Sequence, residues 1–130
     1  MCKQMIKKLF ANTVYVKVYQ DRFDLKHIES GNSRTVIAQK AFSTRRLLVG
    51  QFAEAEEALK NGLKELYKDK WFAPSPVAIV HPMEKIEGGL SQVESRVLRE
   101  LALAAGARDA SLWVGGELSD PEVLAKAYGA

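Results

Sequence analysis

The histidines and the cysteine are the side chains best suited to acid–base, nucleophilic or metal chemistry. His27 and His81 are the only two histidines, and neither has a histidine, cysteine or aspartate at the spacing of a metal ligand. His81 follows an apolar run, which favours a structural histidine whose ring nitrogens are hydrogen-bonded. His27 falls on a strand position that we expect to face solvent. Cys2 has no histidine or basic pocket beside it, so we expect no catalytic thiolate.

Three other polar features have both a chemical and a structural interpretation. Asp21 and Asp24 could act as paired carboxylates, but a polar hairpin explains them more simply. Gly88 and Gly89 could admit an anion at a helix N-terminus, although a flexible connection is the interpretation we favour. Ser91 could be a nucleophile, but a role as the first cap of a helix already accounts for it.

The stretch from Ser91 to Gly106 is the clearest helix in the sequence. Ser91 is followed three residues later by Glu94, as a capping box requires. Gly106 can adopt the left-handed conformation that ends a helix. The residues at helical spacing predict one apolar stripe that packs on the rest of the domain: Val93, Val97, Leu98, Leu101 and Ala105.

The remaining periodicities predict an α/β domain with the order β-β-β-α-β-α-β-α. Alternating and β-branched runs indicate strands at Val14–Tyr19, Phe23–Ile28, Arg34–Phe42, Val77–Val80 and Ala110–Val114. Helical spacing indicates further helices over Phe52–Lys70 and from Asp120 onward. The first three strands should form an antiparallel meander, and the later strand–helix–strand units should be right-handed parallel crossovers. Gly62 should weaken its helix by about 1 kcal/mol relative to alanine.

Composition fits one domain over residues 11–130, preceded by a basic amphipathic segment over residues 1–10. The 130 residues are 47% hydrophobic, enough to build a core. A net charge of +3 is better explained by a solvated surface than by nucleic-acid binding, so no nucleic-acid partner is expected. A single cysteine suits a reducing, cytoplasmic location. We find no run of about 20 apolar residues that could span a bilayer.

Three segments resemble the MreB family, the bacterial homologues of actin. Gln92–Arg108 is similar to the family stretch QVERRAIRESAQGAGAR, Met5–Asn12 to the family N-terminus, and Phe72–Val80 to the family segment FMRPSPRVLVCV. They occur in the order of the first MreB subdomain, and their spacing is compatible with it. The resemblance implies a ribonuclease H-like, actin-like subdomain with a mixed five-stranded sheet and packed helices.

The same alignment implies that the nucleotide site is degenerate. Lys17 stands where the family has the aspartate that organises the metal-bound nucleotide, and Tyr19 and Gln20 replace the glycine and threonine of the phosphate loop. An ammonium cannot ligate magnesium, and a tyrosine occupies the space that a phosphate needs. Val114 and Gly115 stand at the positions of the family's hydrolytic glutamates. We therefore expect no ATPase activity, no catalytic residues, no metal and no cofactor.

These expectations favour a non-catalytic MreB-like interaction module, with the bacterial cell-shape cytoskeleton as its candidate partner. A subdomain that normally packs against the rest of its molecule should leave an apolar face for a partner protein or for a second copy, as a homodimer. Arg45 and Arg46 precede three apolar residues, and they are either exposed loop charges or part of a contact surface.

Two alternatives remain open from the sequence. The first is a peripheral module that binds the inner face of the cell membrane, or a partner, through the N-terminal segment, whose contact residues would be Lys3, Ile6, Lys7, Lys8 and Phe10. The second is an enzyme of unknown chemistry whose site lies near His81, Glu84 or Glu87. Open α/β sheets place ligand sites beyond the carboxyl ends of their strands, and these residues follow an apolar strand.

Overall fold

The computed structural model describes residues 11–68 and 75–129, which form five strands and three helices. The strands are β1 (Thr13–Tyr19), β2 (Arg22–His27), β3 (Ser33–Ile37), β4 (Val77–Pro82) and β5 (Asp109–Leu112). The helices are α1 (Phe52–Leu66), α2 (Gln92–Ala104) and α3 (Asp120–Tyr128). The element order predicted from the sequence, and with it the α/β class, is confirmed.

The strands form one mixed sheet in the order β3-β2-β1-β4-β5. The meander pairs β1 with β2 and β2 with β3 in antiparallel fashion. β1 is parallel to β4, and β4 is parallel to β5. The chain returns to each parallel strand through a helix, so the carboxyl ends of β1, β4 and β5 meet at one edge of the sheet. None of the helices in the described parts of the chain is long and apolar enough to cross a membrane.

Alternation along β1 divides the interior into two layers. Val14, Val16 and Val18 are buried in the larger hydrophobic cluster, to which α1 and α2 contribute. Tyr15 belongs to a smaller cluster with Ile28, Ile79, Leu118 and Val123. Because successive side chains of a strand point to opposite faces, helices α1 and α2 cover one face of the sheet and α3 covers part of the other.

The third predicted strand, Arg34–Phe42, is too long, since β3 ends at Ile37. Beyond it the Ala38 N–H donates to the Asp21 carbonyl, and the Asp21 carboxylate accepts the N–H groups of Phe42 and Ser43. Phe42 is fully buried and stacks on Phe23, with ring centroids 4.9 Å apart. The chain therefore leaves the sheet edge after Ile37, because the hydrogen bonds to Asp21 and the burial of Phe42 direct it toward the core.

The capping box predicted for α2 is confirmed, but the predicted stripe is wrong at its start. The Ser91 hydroxyl accepts from the Glu94 N–H, and the Glu94 carboxylate accepts from the Ser91 N–H. Val93 is 71% exposed, whereas Leu98 and Leu101 are buried. Only the second half of α2 packs into the core, while its first turns border the loop that carries Leu47 and Leu48.

Helix α1 approaches the sheet closely at Gly62. The helix ends at Leu66, before the predicted Lys70, and residues 69–74 lie outside the described part of the chain. A Cβ atom at Gly62 would lie 2.5 Å from Val36 Cγ2 and 2.9 Å from Leu25 Cδ1. Gly62 therefore contributes close packing, and the expectation that it is only a weak point in the helix is incomplete.

We expect Gly62→Ala to destabilise the domain although alanine is the better helix former. The methyl group gains about 1 kcal/mol in helix propensity, but overpacking costs about 1–3 kcal/mol, and the β-branched Val36 cannot easily rotate away. Urea unfolding should show a lower free energy of unfolding for the variant. Asn61→Ala, an exposed change in the same helix, should be neutral or slightly stabilising. Adding Val36→Ala to Gly62→Ala should recover part of the loss, and a stabilised single variant would contradict the packing argument.

Candidate functional site at the carboxyl ends of the parallel strands

Residues 113–119, which we call the strap, connect β5 to α3 and cross the carboxyl ends of the parallel strands. Three polar contacts with β1 and β4 hold them there, and a fourth hydrogen bond lies within the strap. The His81 Nε2 atom lies 2.9 Å from the Gly115 carbonyl oxygen, and the Leu118 N–H donates to the Tyr15 hydroxyl over 3.1 Å. Lys17 is paired with Glu117, and the Trp113 Nε1–H donates to the Gly116 carbonyl. The edge where open α/β sheets bind ligands is thus covered by the chain itself.

The Tyr15–His81 pair forms the buried part of this site. The Tyr15 hydroxyl lies 2.6 Å from His81 Nδ1, and the two rings are stacked. A carbonyl oxygen can only accept, so the hydrogen bond to Gly115 requires that His81 Nε2 carries the proton. Nδ1 is then the acceptor, and the Tyr15 hydroxyl donates to it while accepting from Leu118. Every polar atom of the pair is satisfied when His81 is neutral.

The surroundings of His81 favour the neutral form. Its side chain is 1% exposed, and this burial is the main cause of a pKa that is lowered from 6.5. The Lys17 ammonium lowers this pKa further, while the Gly115 carbonyl and the Glu117 carboxylate oppose the shift. Burial likewise raises the pKa of Tyr15. With both ring nitrogens hydrogen-bonded to this chain, His81 has the contacts expected of a structural histidine, which is the interpretation favoured from the sequence.

Lys17 forms a partly exposed ion pair with Glu117 of the strap. Its Nζ atom lies 2.5 Å from Glu117 Oε1, and the hydrogen bond is the largest cause of both the raised pKa of Lys17 and the lowered pKa of Glu117. The lysine side chain is 22% exposed and that of Glu117 61% exposed. An ion pair open to solvent on one side contributes modestly to stability. Its effect here is to join β1 to the strap.

Tyr19 and Gln20, which the MreB resemblance aligns with the phosphate loop, contact Arg22 and Glu84. The Tyr19 ring lies beneath the Arg22 guanidinium, 3.9 Å from ring centroid to Cζ. The Gln20 N–H donates to the Glu84 carboxylate over 2.5 Å. The Tyr19–Arg22 contact flanks the two-residue turn between β1 and β2, and the Gln20–Glu84 hydrogen bond connects that turn to the segment after β4. Glu87 is exposed on the loop that follows.

The expectation that His27 faces solvent is wrong. It is 6% exposed, and its ring nitrogens contact the Asn12 side-chain oxygen at 2.9 Å and the Ser30 hydroxyl at 2.7 Å. The Tyr67 hydroxyl donates to the same Asn12 oxygen. This polar cluster lies at the opposite, amino end of β1. No periodic pattern in the sequence marks this cluster, because Asn12, His27 and Tyr67 are well separated along the chain.

A second surface feature is a turn with Arg45 and Arg46 in its middle, which we call the arginine turn. The Thr44 N–H donates to the Leu47 carbonyl, and the Lys85 ammonium reaches the Arg45 carbonyl. Leu48 is buried, whereas Leu47 is 40% exposed. Together with the start of α2 this turn forms an apolar groove, which we call the α2 groove. Its lining residues are Leu47, Leu48, Val49, Leu90, Val93, Glu94, Val97 and Leu98.

The proposed N-terminal contact residues Lys3, Ile6, Lys7, Lys8 and Phe10 lie outside the described residues. Within residues 11–68 and 75–129, no three histidine, cysteine, aspartate or glutamate side chains converge in a way that could hold a metal ion.

Comparison with known proteins gives one informative similarity. The chain is 32% identical over 99 residues to the uncharacterized protein YjaA of Escherichia coli, and the aligned region spans 72% of this chain and 76% of YjaA. No protein-family model matches the chain.

The buried histidine predicts how stability depends on pH. Because the pKa of His81 is lowered from 6.5 in the folded protein, the unfolded chain binds more protons as the pH falls through about 6.5. The contribution of His81 to the free energy of unfolding should therefore be fully present above that pH and decline below it. The decline is at most about 1.4 kcal/mol per pH unit. Urea unfolding between pH 8 and pH 5 measures it.

His81→Gln provides the comparison in the same buffers. It should be less stable than the wild type at pH 8, by about 1–3 kcal/mol, because a buried hydrogen-bonded pair is disrupted. Its free energy of unfolding should fall less between pH 7 and pH 5 than that of the wild type. Equal slopes for the two proteins would mean that His81 does not resist protonation.

Proposed function

The chain belongs to the family of the Escherichia coli protein YjaA, and we propose that it is a non-catalytic interaction module built on an MreB-like, ribonuclease H-like scaffold. Three sequence segments that resemble MreB support this scaffold, as does the element order β-β-β-α-β-α-β-α. An antiparallel meander followed by two parallel crossovers is compatible with the same unit. Its partner is another protein, for which the bacterial cell-shape cytoskeleton is the candidate that the resemblance suggests.

The proposal that the protein is not an ATPase depends on one observation, which is that the strap covers the carboxyl ends of the parallel strands. In the MreB resemblance Lys17 aligns with the aspartate that organises the metal-bound nucleotide, and its ammonium is paired with Glu117. Tyr15 and His81 occupy the space beneath, with each polar atom committed to the strap or to the other ring. A nucleotide phosphate would have to displace the chain's own carboxylate and would gain no glycine-rich turn to bind it. At the carboxyl ends of the parallel strands, these side chains therefore stabilise the fold and leave no phosphate site.

Exposed apolar side chains support the interaction part. Leu47 and Val93 border one groove, where Val93 is 71% exposed, and Ile37 is 74% exposed on the edge strand β3. Isolated exposed apolar residues are ordinary, but a groove that gathers several of them is typical of a contact surface.

Mg-ATP should not bind. In thermal unfolding with and without millimolar Mg-ATP, we expect the same midpoint, because a ligand raises it only by binding the folded state. Lys17→Asp combined with Tyr19→Gly, which introduces the family residues at these two positions, should not restore binding while the strap remains. A magnesium-dependent rise of several degrees in the wild type would overturn the non-catalytic proposal.

The interaction part has a separate test. The native protein, cross-linked mildly in its host cell and purified, should migrate on size exclusion as a complex with a second polypeptide. The purified chain alone serves as the reference for size. Recovery of the chain only as a monomer would overturn the proposed role, and recovery as a homodimer alone would replace the partner protein by a second copy.

A further inference from the structure

The α2 groove has the apolar lining of a docking site for a helix. Val93 and Val97 lie one helical turn apart on one wall, Leu90 precedes them, and Leu47 and Val49 form the other wall. We propose that this groove binds an acidic amphipathic helix of a partner protein. The inference rests on the proposed function and specifies its contact surface.

The walls of the groove favour a helix over an extended peptide. An added strand needs a free sheet edge with unpaired N–H and C=O groups. The lining residues come from helix α2 and two loops, and none belongs to a strand. Recognition must therefore depend on side chains. The apolar side chains of a helix at positions i, i+3 and i+4 project in one row, which suits a groove of this kind.

The charges around the groove favour an acidic occupant. Arg45 and Arg46 are exposed in the turn that leads into Leu47, and neither forms an ion pair with any described residue. Lys85 lies beside them. The carboxylate in the lining, that of Glu94, accepts from the Ser91 N–H and is part of the helix cap. Acidic residues on the partner would pair with the arginines, whose unpaired guanidinium groups provide electrostatic complementarity.

The same charges count against the two occupants that this chain could supply. The N-terminal segment carries Lys3, Lys7 and Lys8, so it would bring like charge to the arginine turn. A symmetric dimer centred on the groove would bring Arg45 and Arg46 of each copy close to those of the other. Juxtaposed like charges are unfavourable.

Photo-cross-linking in the host cell tests the inference on the full chain. A photoreactive p-benzoylphenylalanine replaces Val93 in one protein and the distant, exposed Ile37 in another, and the cross-linked peptides are sequenced. The photoreactive residue at position 93 should attach to an amphipathic helix of net negative charge. The double variant Arg45→Glu/Arg46→Glu should lower the adduct yield at least tenfold. The double variant Lys60→Glu/Arg108→Glu, with the same change in net charge at exposed sites elsewhere, should leave the yield unchanged.

Thermal unfolding of each variant verifies folding, and a second photoreactive residue at Leu47 should give the same adduct. The inference fails if the adduct at position 93 is a second copy of this chain, or a segment without net negative charge. It also fails if both charge reversals lower the yield equally. An adduct at position 37 alone would show that the α2 groove is not the contact surface, but it would be consistent with the proposed interaction module. The absence of an adduct at all three positions would overturn both.

Discussion

The structure depends on β1 being hydrogen-bonded on both sides. Its residues pair with β2 from Val14 to Tyr19 and with β4 from Thr13 to Val18, so neither edge of the strand is free. A shift of one residue would exchange the two faces and move three valines out of the main core. The fixed register places Tyr15 opposite Ile79 and Lys17 opposite His81. This pairing brings Tyr15, Lys17 and His81 together at the carboxyl ends of the parallel strands.

The short turn after β1 controls the surface as well as the sheet. Asp21 adopts a φ of 55° and accepts the N–H groups of Phe42 and Ser43, so it connects a tight hairpin to a distant loop. The Ser43 hydroxyl in turn donates to the Leu48 carbonyl. Phe42, held in the core, fixes the start of that loop. The arginine turn and the α2 groove are therefore supported by buried contacts at both ends.

The sequence predicts the order of the elements well because alternation, helical spacing and capping are local signals. Ser91 and Glu94 identify a helix start from two residues alone, and the valines of β1 identify a strand. The predictions that are wrong concern residues whose positions depend on tertiary contacts. β3 ends early because Asp21 and Phe42 redirect the chain, and His27 is buried by Asn12 and Tyr67, which are distant in sequence.

For the candidate site, the sequence identifies Lys17 as a residue that cannot hold a metal, but not its partner. Glu117 is separated from it by a hundred positions, and only the parallel pairing of β1 and β4 and the path of the strap bring the two together. Likewise, Val93 has the periodicity of a core residue, yet it lies before the point where α2 reaches the sheet. Periodicity specifies a face of a helix, but it does not specify how much of that face is covered.

The division of the interior by the sheet has a consequence for how the molecule loses structure. The smaller cluster, with Val123 of α3 and Leu118 of the strap, is separated by the sheet from the larger one beneath α1 and α2. If α3 and the strap detach together, the sheet keeps its hydrogen bonds and its main apolar layer. Because the smaller layer can be lost without breaking the larger one, amide hydrogens in α3 should exchange through a partial opening that those of β1 do not share.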